Sequence, residues 1–201
     1  MFLNSLNIKL IKNNYIKMSS LQKLEAMKII QEELKELTRN PRSNLGITVG
    51  LMDEDNLFEW KCTILGPSDT CYKGGLFILK ITFPDDYPNT KPEIVFQTPI
   101  YHLNVKFFAN GKQPLGHICV STLNNWKKEY RINRVLPELF TLFSGNNPDS
   151  PYDFNDQRRR NEFVNNRALF EEKAKYFTKK YAHPLKTRKD YTTDWDFTYP
   201  Q

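Results

Sequence analysis

Two segments with a period of two residues constrain the fold of this chain more than any other feature of its sequence. In the first, apolar Phe58, Trp60, Cys62 and Ile64 alternate with polar or small residues. The second, residues 76–83, is nearly all apolar, with Phe77, Leu79, Ile81 and Phe83 on one face. This alternation is typical of strands that bury one face. The pair Gly66-Pro67 between them is a turn signal, and residues 94–96 have the composition of a further short strand. The sequence therefore predicts a meander of strands.

A helical pattern precedes the strands. Ser19 and Gln22 have the spacing of a capping box, and Pro41 ends the pattern. The apolar residues at helical period between them are Leu21, Leu24, Met27, Ile30, Leu34 and Leu37. We therefore expect an N-terminal helix from residue 19 onwards.

Helical patterns also follow the strands, after an irregular stretch from residue 99 to 126. Asn133 can cap a helix that has Pro137 in its first turn and Gly145 at its end. Two more helices are predicted around residues 156–166 and 167–181. The order of helix, strands, irregular loop and helices predicts an α+β domain.

Composition narrows the class of protein. The 201 residues carry a net charge of +6, spread along the chain, which indicates a solvated surface rather than a nucleic-acid site. No apolar stretch approaches the length of a membrane span. The three cysteines lack CxxC spacing, which argues against a disulfide framework and a zinc site and favours a reducing compartment. We expect no metal, no cofactor, no nucleic acid and no membrane among the partners.

The two ends differ from the middle of the chain. Residues 1–18 contain three lysines and no acidic residue, and we interpret them as a disordered extension rather than a targeting signal. Residues 183–201 show no period, and we expect a tail without fixed structure. The predicted core domain therefore covers residues 19–182.

Cys119 lies in the irregular stretch, after His117 and Ile118 and before Val120. A structural cysteine is usually part of a periodic apolar segment, as Cys62 is. Irregular loops inside compact domains are often functional, but a lone loop cysteine is more often structural, so the position of Cys119 alone does not assign chemistry to it.

The neighbourhood of this cysteine carries a resemblance. In chain order it reads YKGGLFILKITFPDDYPNTKPEIVF, TPIYHLN, GHICVSTL, then a tryptophan, NNPDSP and NNRALFEEKAKYFTKKYA. The motifs Tyr-x-Gly-Gly, Phe-Pro-x-Asp-Tyr-Pro, Tyr-His-x-Asn and Gly-x-Ile-Cys, in this order, resemble the ubiquitin-conjugating enzyme family across residues 20–182. The resemblance implies the family's fold, with an N-terminal helix, a four-stranded antiparallel meander and C-terminal helices.

The resemblance also implies residue roles. Cys119 aligns with the nucleophile that carries the modifier as a thioester, and Asn104 with the asparagine that stabilises the oxyanion or holds the loop. Ser150 falls on the position that helps the incoming lysine. His102 is interpreted as a residue that braces the loop rather than a base, and His117 as an exposed polar residue. The remaining supporting positions in the loop are Tyr101 and Ser121.

Partners follow from the same resemblance: ubiquitin or a ubiquitin-like protein, an activating enzyme, a ubiquitin ligase and a substrate lysine. The positions that align with partner-binding residues are Lys28, Pro88, Asn89, Trp126 and Lys127. The implied location is the cytoplasm, the nucleus or both.

The chain departs from the family pattern near the site. Leu103 replaces the proline of the His-Pro-Asn motif, so the loop is less restrained in φ. The segment between Asn104 and Cys119 is longer than usual and contains Phe107 and Phe108. Asn89 and Lys127 also differ from the residues common in ligase-binding loops.

These departures leave two alternatives open within the same fold. One is a conjugating enzyme for SUMO or another ubiquitin-like modifier. The other is an inactive adapter that binds ubiquitin, against which the retained cysteine argues. A basic RNA-binding protein is a third reading, supported by net charge alone.

Overall fold

The structure is a computed structural model. It describes residues 2–41, 45–106, 115–118, 120–145, 157–183 and 198–200, with side chains from residue 18 onwards. Its elements in chain order are α1 (Phe2–Arg39), β1 (Ile47–Asp53), β2 (Asn56–Leu65), β3 (Leu76–Thr82), β4 (Glu93–Phe96), α2 (Ser121–Asn124), α3 (Ile132–Ser144), α4 (Gln157–Asn165) and α5 (Arg167–Tyr181). The predicted α+β architecture is confirmed.

Helix α1 is longer than the sequence pattern indicated. It begins at Phe2, so residues 2–18 continue the helix instead of forming the disordered extension that we expected. Neither glycine nor proline occurs before Pro41, so no residue in this stretch interrupts a helix. Ser19 consequently lies inside the helix and is not its cap.

Of the α1 side chains that the structure describes, from residue 18 onwards, one stripe contributes to the core. Its buried side chains are Ala26, Ile30, Glu33 and Leu37. Leu21, Leu24 and Met27, which the sequence pattern placed on the apolar stripe, are exposed. A glutamate therefore occupies a position in the buried stripe of this helix.

The four strands form one antiparallel sheet in the order β1-β2-β3-β4, which is the predicted meander. Trp60 of β2 lies opposite Ile81 of β3, and Cys62 lies opposite Leu79. The alternating residues from Trp60 to Ile64 and from Phe77 to Ile81 are fully buried, so the sheet buries the face that the sequence predicted.

Helix α3 begins earlier than predicted, and its cap comes from another element. The N-cap is Arg131, which makes no side-chain capping bond, so Asn133 is not the cap. The backbone N–H of Ile132 instead donates to Glu33 of α1 at 2.8 Å. Pro137 is therefore the sixth residue of the helix, in its second turn, while Gly145 is the C-cap as expected.

The C-terminal helices pack beside the sheet end. Phe170, Ala174 and Phe177 of α5 are buried, as their spacing indicated. The described part of the tail contacts this helix: the Tyr199 ring lies 5.3 Å from that of Tyr176, and its hydroxyl donates to Glu172. None of the described helices is long and apolar enough to cross a membrane.

Candidate active site

The segment around the expected nucleophile pairs with the segment that contains Asn104. Val105 forms an antiparallel bridge with Ile118, and the Lys106 N–H donates to the His117 carbonyl at 2.9 Å. The Gly116 N–H returns a bond of 3.0 Å to the Lys106 carbonyl. These bonds join the two ends of the loop between Asn104 and Cys119. Residues 107–114 of this loop lie outside the described part.

The same segment is attached to the sheet. His117 forms a bridge with Val95 of β4, and the Phe96 N–H donates to the Gly116 carbonyl at 2.9 Å. His117 is therefore half-buried rather than exposed as predicted. Burial lowers its pKa, and the charges of Lys91 and Lys106 lower it further.

Cys119 itself lies outside the described residues, between two buried neighbours. Ile118 is 2% exposed and Val120 is 7% exposed. Because Ile118 is paired with Val105, the residue before Cys119 is opposite the residue after Asn104. The structure therefore brings together one backbone neighbour of each of these two predicted site residues.

His102 is fully buried, and both of its ring nitrogens are engaged. Its Nδ1 accepts a bond of 3.0 Å from the Asn104 N–H, so the proton is on Nε2, which donates to the Leu142 carbonyl at 2.8 Å. Burial lowers the pKa of His102 to about 4. The ring is neutral at pH 7 and links the segment 101–104 to α3.

Leu103 is 2% exposed and Asn104 is 5% exposed. The leucine that replaces the family proline is thus held by packing, and its neighbour by the backbone bond to His102. These contacts supply restraint that proline would otherwise provide through its fixed φ.

Charged side chains of α4 and α5 also hold this segment. Arg159, 2% exposed, donates to the His102 carbonyl at 2.8 Å. Glu162 accepts from the Tyr101 hydroxyl at 2.7 Å and from the Lys173 ammonium at 2.6 Å. Burial opposes the charged form of Glu162, but these bonds hold its pKa below the usual value.

Glu138 of α3 contacts the residues that follow the nucleophile. Its carboxylate accepts from the Thr122 N–H at 3.1 Å, from the Ser121 hydroxyl at 3.3 Å and from the Thr122 hydroxyl. Ser121, expected as a supporting residue, therefore lies against α3.

Four of the predicted partner-binding residues lie in two loops that contact each other. The Trp126 Nε1–H donates to the Pro88 carbonyl at 2.8 Å, and Asn89 and Lys127 beside them are exposed. Lys28 is exposed on α1.

A second set of contacts connects that surface to the core. Tyr87, next to Pro88, donates its hydroxyl to Glu33 at 2.7 Å. Burial raises the pKa of Glu33, although this bond and the one from Ile132 lower it in part. Glu33 thus joins α1, the loop at Tyr87 and the start of α3.

Two predicted features are not placed. Ser150 lies outside the described residues, as does the Phe107–Phe108 pair.

The other two cysteines differ in their surroundings: Cys62 is fully buried, which raises the pKa of its thiol to about 12, and Cys71 is half-buried, which also raises its pKa.

Sequence reasoning missed the charged residues that brace the site: Glu33, Glu138, Arg159, Glu162 and Lys173. For two of them a signal existed, because a charge in an apolar helical stripe must find a partner once it is buried. Glu33 stands between Ile30 and Leu37, and Lys173 stands between Phe170 and Ala174.

Comparison with known proteins gives one consistent answer. The family model for ubiquitin-conjugating enzymes matches residues 29–178. Ubiquitin-conjugating enzymes E2 13 and E2 7 of Arabidopsis thaliana are each 33% identical over 141 residues, which is 63% of this chain and 80% of the relative. A Plasmodium yoelii protein, assigned to the ubiquitin-conjugating enzymes, has a crystal structure that matches with a TM-score of 0.67 and 33% identity. That match covers 79% of this chain and 96% of the other.

These matches confirm the resemblance that the motifs carried. The residues 101–106 and 115–118, paired at the edge of a four-stranded meander, lie within the matched region. The chain belongs to the ubiquitin-conjugating enzyme family, a family of transferases, and has its fold.

Proposed function

We propose that this chain accepts ubiquitin from an activating enzyme as a thioester on Cys119 and transfers it to a substrate lysine, with a ligase as partner. The observation that carries the proposal is the bridge between Val105 and Ile118, because Val105 follows Asn104 in the chain and Ile118 precedes Cys119. The family membership of the chain supplies the reaction class.

The proposed chemistry has two balanced steps. The sulfur of Cys119 attacks the thioester carbonyl of ubiquitin on the activating enzyme, so one C–S bond forms and another breaks, and the departing cysteine takes up the proton. A lysine amine then attacks the new thioester, a C–N bond forms, and Cys119 leaves as a thiolate that regains the proton lost by the amine. The Asn104 amide is proposed to donate to the oxyanion.

The buried imidazole is not the base in this scheme. Because His102 uses Nδ1 to accept and Nε2 to donate, neither nitrogen is available to the lysine. We assign to Ser150 the positioning and desolvation of the lysine, and phosphorylation there would add negative charge. A Ser150→Asp variant with unchanged lysine discharge would count against this assignment.

Partner binding is assigned to the joined loops. Exposed Asn89 and Lys127 flank the contact between Trp126 and Pro88, and this surface is proposed to bind the ligase. Lys28 on α1 is assigned to the activating enzyme. The proposed location is the cytoplasm or nucleus, where these partners act.

A charging assay tests the proposal. The full chain is incubated with ubiquitin, its activating enzyme and ATP and run on non-reducing and reducing gels. We expect a reducible adduct that Cys119→Ala abolishes. Cys71→Ala is the matched control, because Cys71 is half-buried whereas Cys62 is fully buried, and it should leave the adduct intact.

Parallel reactions separate the alternatives. An adduct with SUMO and its activating enzyme, but not with ubiquitin, would keep the chemistry and change the modifier. Failure with every modifier would contradict the thioester and favour the adapter reading.

A further inference from the structure

Helix α2 starts two residues after the proposed nucleophile and has no cap of its own. Its N-cap is Val120, whose side chain cannot accept a hydrogen bond. The first backbone N–H groups of a helix need acceptors from outside it. For α2 the acceptor comes from a different helix.

That acceptor is the carboxylate of Glu138. One oxygen accepts from the Thr122 N–H and the Ser121 hydroxyl, and the other accepts from the Thr122 hydroxyl. Three donors from two consecutive residues therefore converge on one side chain. Thr122 is 7% exposed, so its two bonds to Glu138 are partly buried, whereas the bond from Ser121 is exposed.

The helix that carries Glu138 is fixed at both ends. At its start, the Ile132 N–H donates to Glu33, and near its end the Leu142 carbonyl accepts from His102. One rigid element therefore contacts the chain on both sides of the site: residues 102–104 through Leu142, and residues 121–122 through Glu138.

From these contacts we infer that Glu138 is a positioning residue for Cys119. It fixes the two residues at the start of α2 and places a negative charge on the N-terminal donors of that helix. The inference rests on the proposed function of Cys119.

The charge has a measurable consequence. A negative charge near a thiol disfavours the thiolate and raises the pKa of the thiol. The Glu138 carboxylate is bonded to the residues two and three positions after Cys119, so removing its charge should make the Cys119 thiol ionise at lower pH. Among the residues that the structure describes, Lys91 and Lys106 act on His117 in the same segment, and the variants leave both lysines unchanged.

Alkylation of the free full-length protein tests the charge. Iodoacetamide labelling of Cys119 is followed by peptide mass spectrometry from pH 6 to pH 10. In Glu138→Gln, which keeps the shape and one acceptor oxygen, we expect the midpoint to fall by about half a pH unit, or roughly threefold faster labelling near neutral pH. Glu54→Gln, in the exposed turn between β1 and β2, is the matched control and should keep the wild-type midpoint.

Single-turnover discharge of the ubiquitin thioester to free lysine tests the positioning. We expect Glu138→Ala to slow discharge about tenfold, because misplacing a reacting group is costly. A Glu138→Gln midpoint equal to that of Glu54→Gln would overturn the inference, and so would an Ala variant that discharges at the wild-type rate. If wild-type Cys119 accepts no modifier, the proposed function fails, while the alkylation profile still reports on Glu138.

Discussion

At the residue scale, the imidazole of His102 shows how a buried side chain can organise a site without taking part in proton transfer. Its two nitrogens connect the Asn104 backbone to α3. Such a ring must stay neutral, because protonation would turn the accepting Nδ1 into a donor that faces another N–H.

Because His102 is neutral in the folded protein, the free energy of unfolding depends on pH. The folded pKa of His102 is lowered to about 4 from 6.5, so between these values the unfolded chain binds a proton that the folded chain does not. The stabilisation is fully present above pH 6.5 and is lost as the pH falls towards 4, by about 3 kcal/mol at most. Urea unfolding of wild type and His102→Gln at a series of pH values measures it.

The quantity to compare is the slope of the free energy of unfolding against pH, since other groups titrate in the same range. We expect the free energy of unfolding of His102→Gln to depend less steeply on pH than that of wild type. His183→Gln, an exposed position, is the control and should follow the wild-type slope. Parallel curves for wild type and His102→Gln would show that the ring is not the group responsible.

At the element scale, α4 contributes a single buried cation to the site. Arg159 donates to the His102 carbonyl, and its guanidinium lies 5.9 Å from the Tyr101 ring centre. Its neighbour Arg158 is 78% exposed and pairs with Glu162 at 3.3 Å. Two adjacent arginines on one helix thus have opposite environments.

This contrast gives a matched pair of variants. Arg159→Met leaves the buried His102 carbonyl without its donor, and we expect the free energy of unfolding to fall by about 2 kcal/mol. Arg158→Met removes the ion pair of an exposed guanidinium, and Glu162 keeps its bonds from Tyr101 and Lys173, so we expect a loss of less than about 1 kcal/mol. Urea denaturation of both proteins checks this, and equal losses would contradict the assignment of Arg159.

At the scale of the whole molecule, α3 connects the candidate site with the loops at Pro88 and Trp126, which we propose to bind the ligase. Its 13 residues correspond to about 20 Å. Glu33 holds its start together with Tyr87, and His102 contacts its end at Leu142. The helix is therefore in contact with both surfaces that the proposed reaction uses.

Removing the Glu33 carboxylate should weaken the link between α1, Tyr87 and the start of α3. Glu33→Ala leaves the buried Ile132 N–H and the Tyr87 hydroxyl without their acceptor, and we expect a loss of about 3 kcal/mol in the free energy of unfolding. Glu32→Ala, one position earlier on the exposed face of α1, is the control and should change stability by less than about 0.5 kcal/mol. Thermal or urea unfolding that finds the two variants equal would refute the role of Glu33.

The sequence by itself determined the elements and the family. Alternation identified β2 and β3, helical spacing identified α5, and the ordered motifs around Cys119 identified the ubiquitin-conjugating enzymes. These signals are local, because the periods of 2 and 3.6 residues are expressed within a few neighbours. The start of α1 was misjudged, since absence of helix breakers is a weaker signal than periodicity.

Only the tertiary structure decided which side chains brace the site. Ile132 and Glu33 are 99 residues apart, Arg159 and His102 are 57 apart, and Tyr101 and Glu162 are 61 apart. The cap of α3 was assigned to Asn133 for this reason: a local pattern cannot show an acceptor on a distant helix. Burial makes each of these polar groups find a partner, but packing of the whole chain chooses which partner it is.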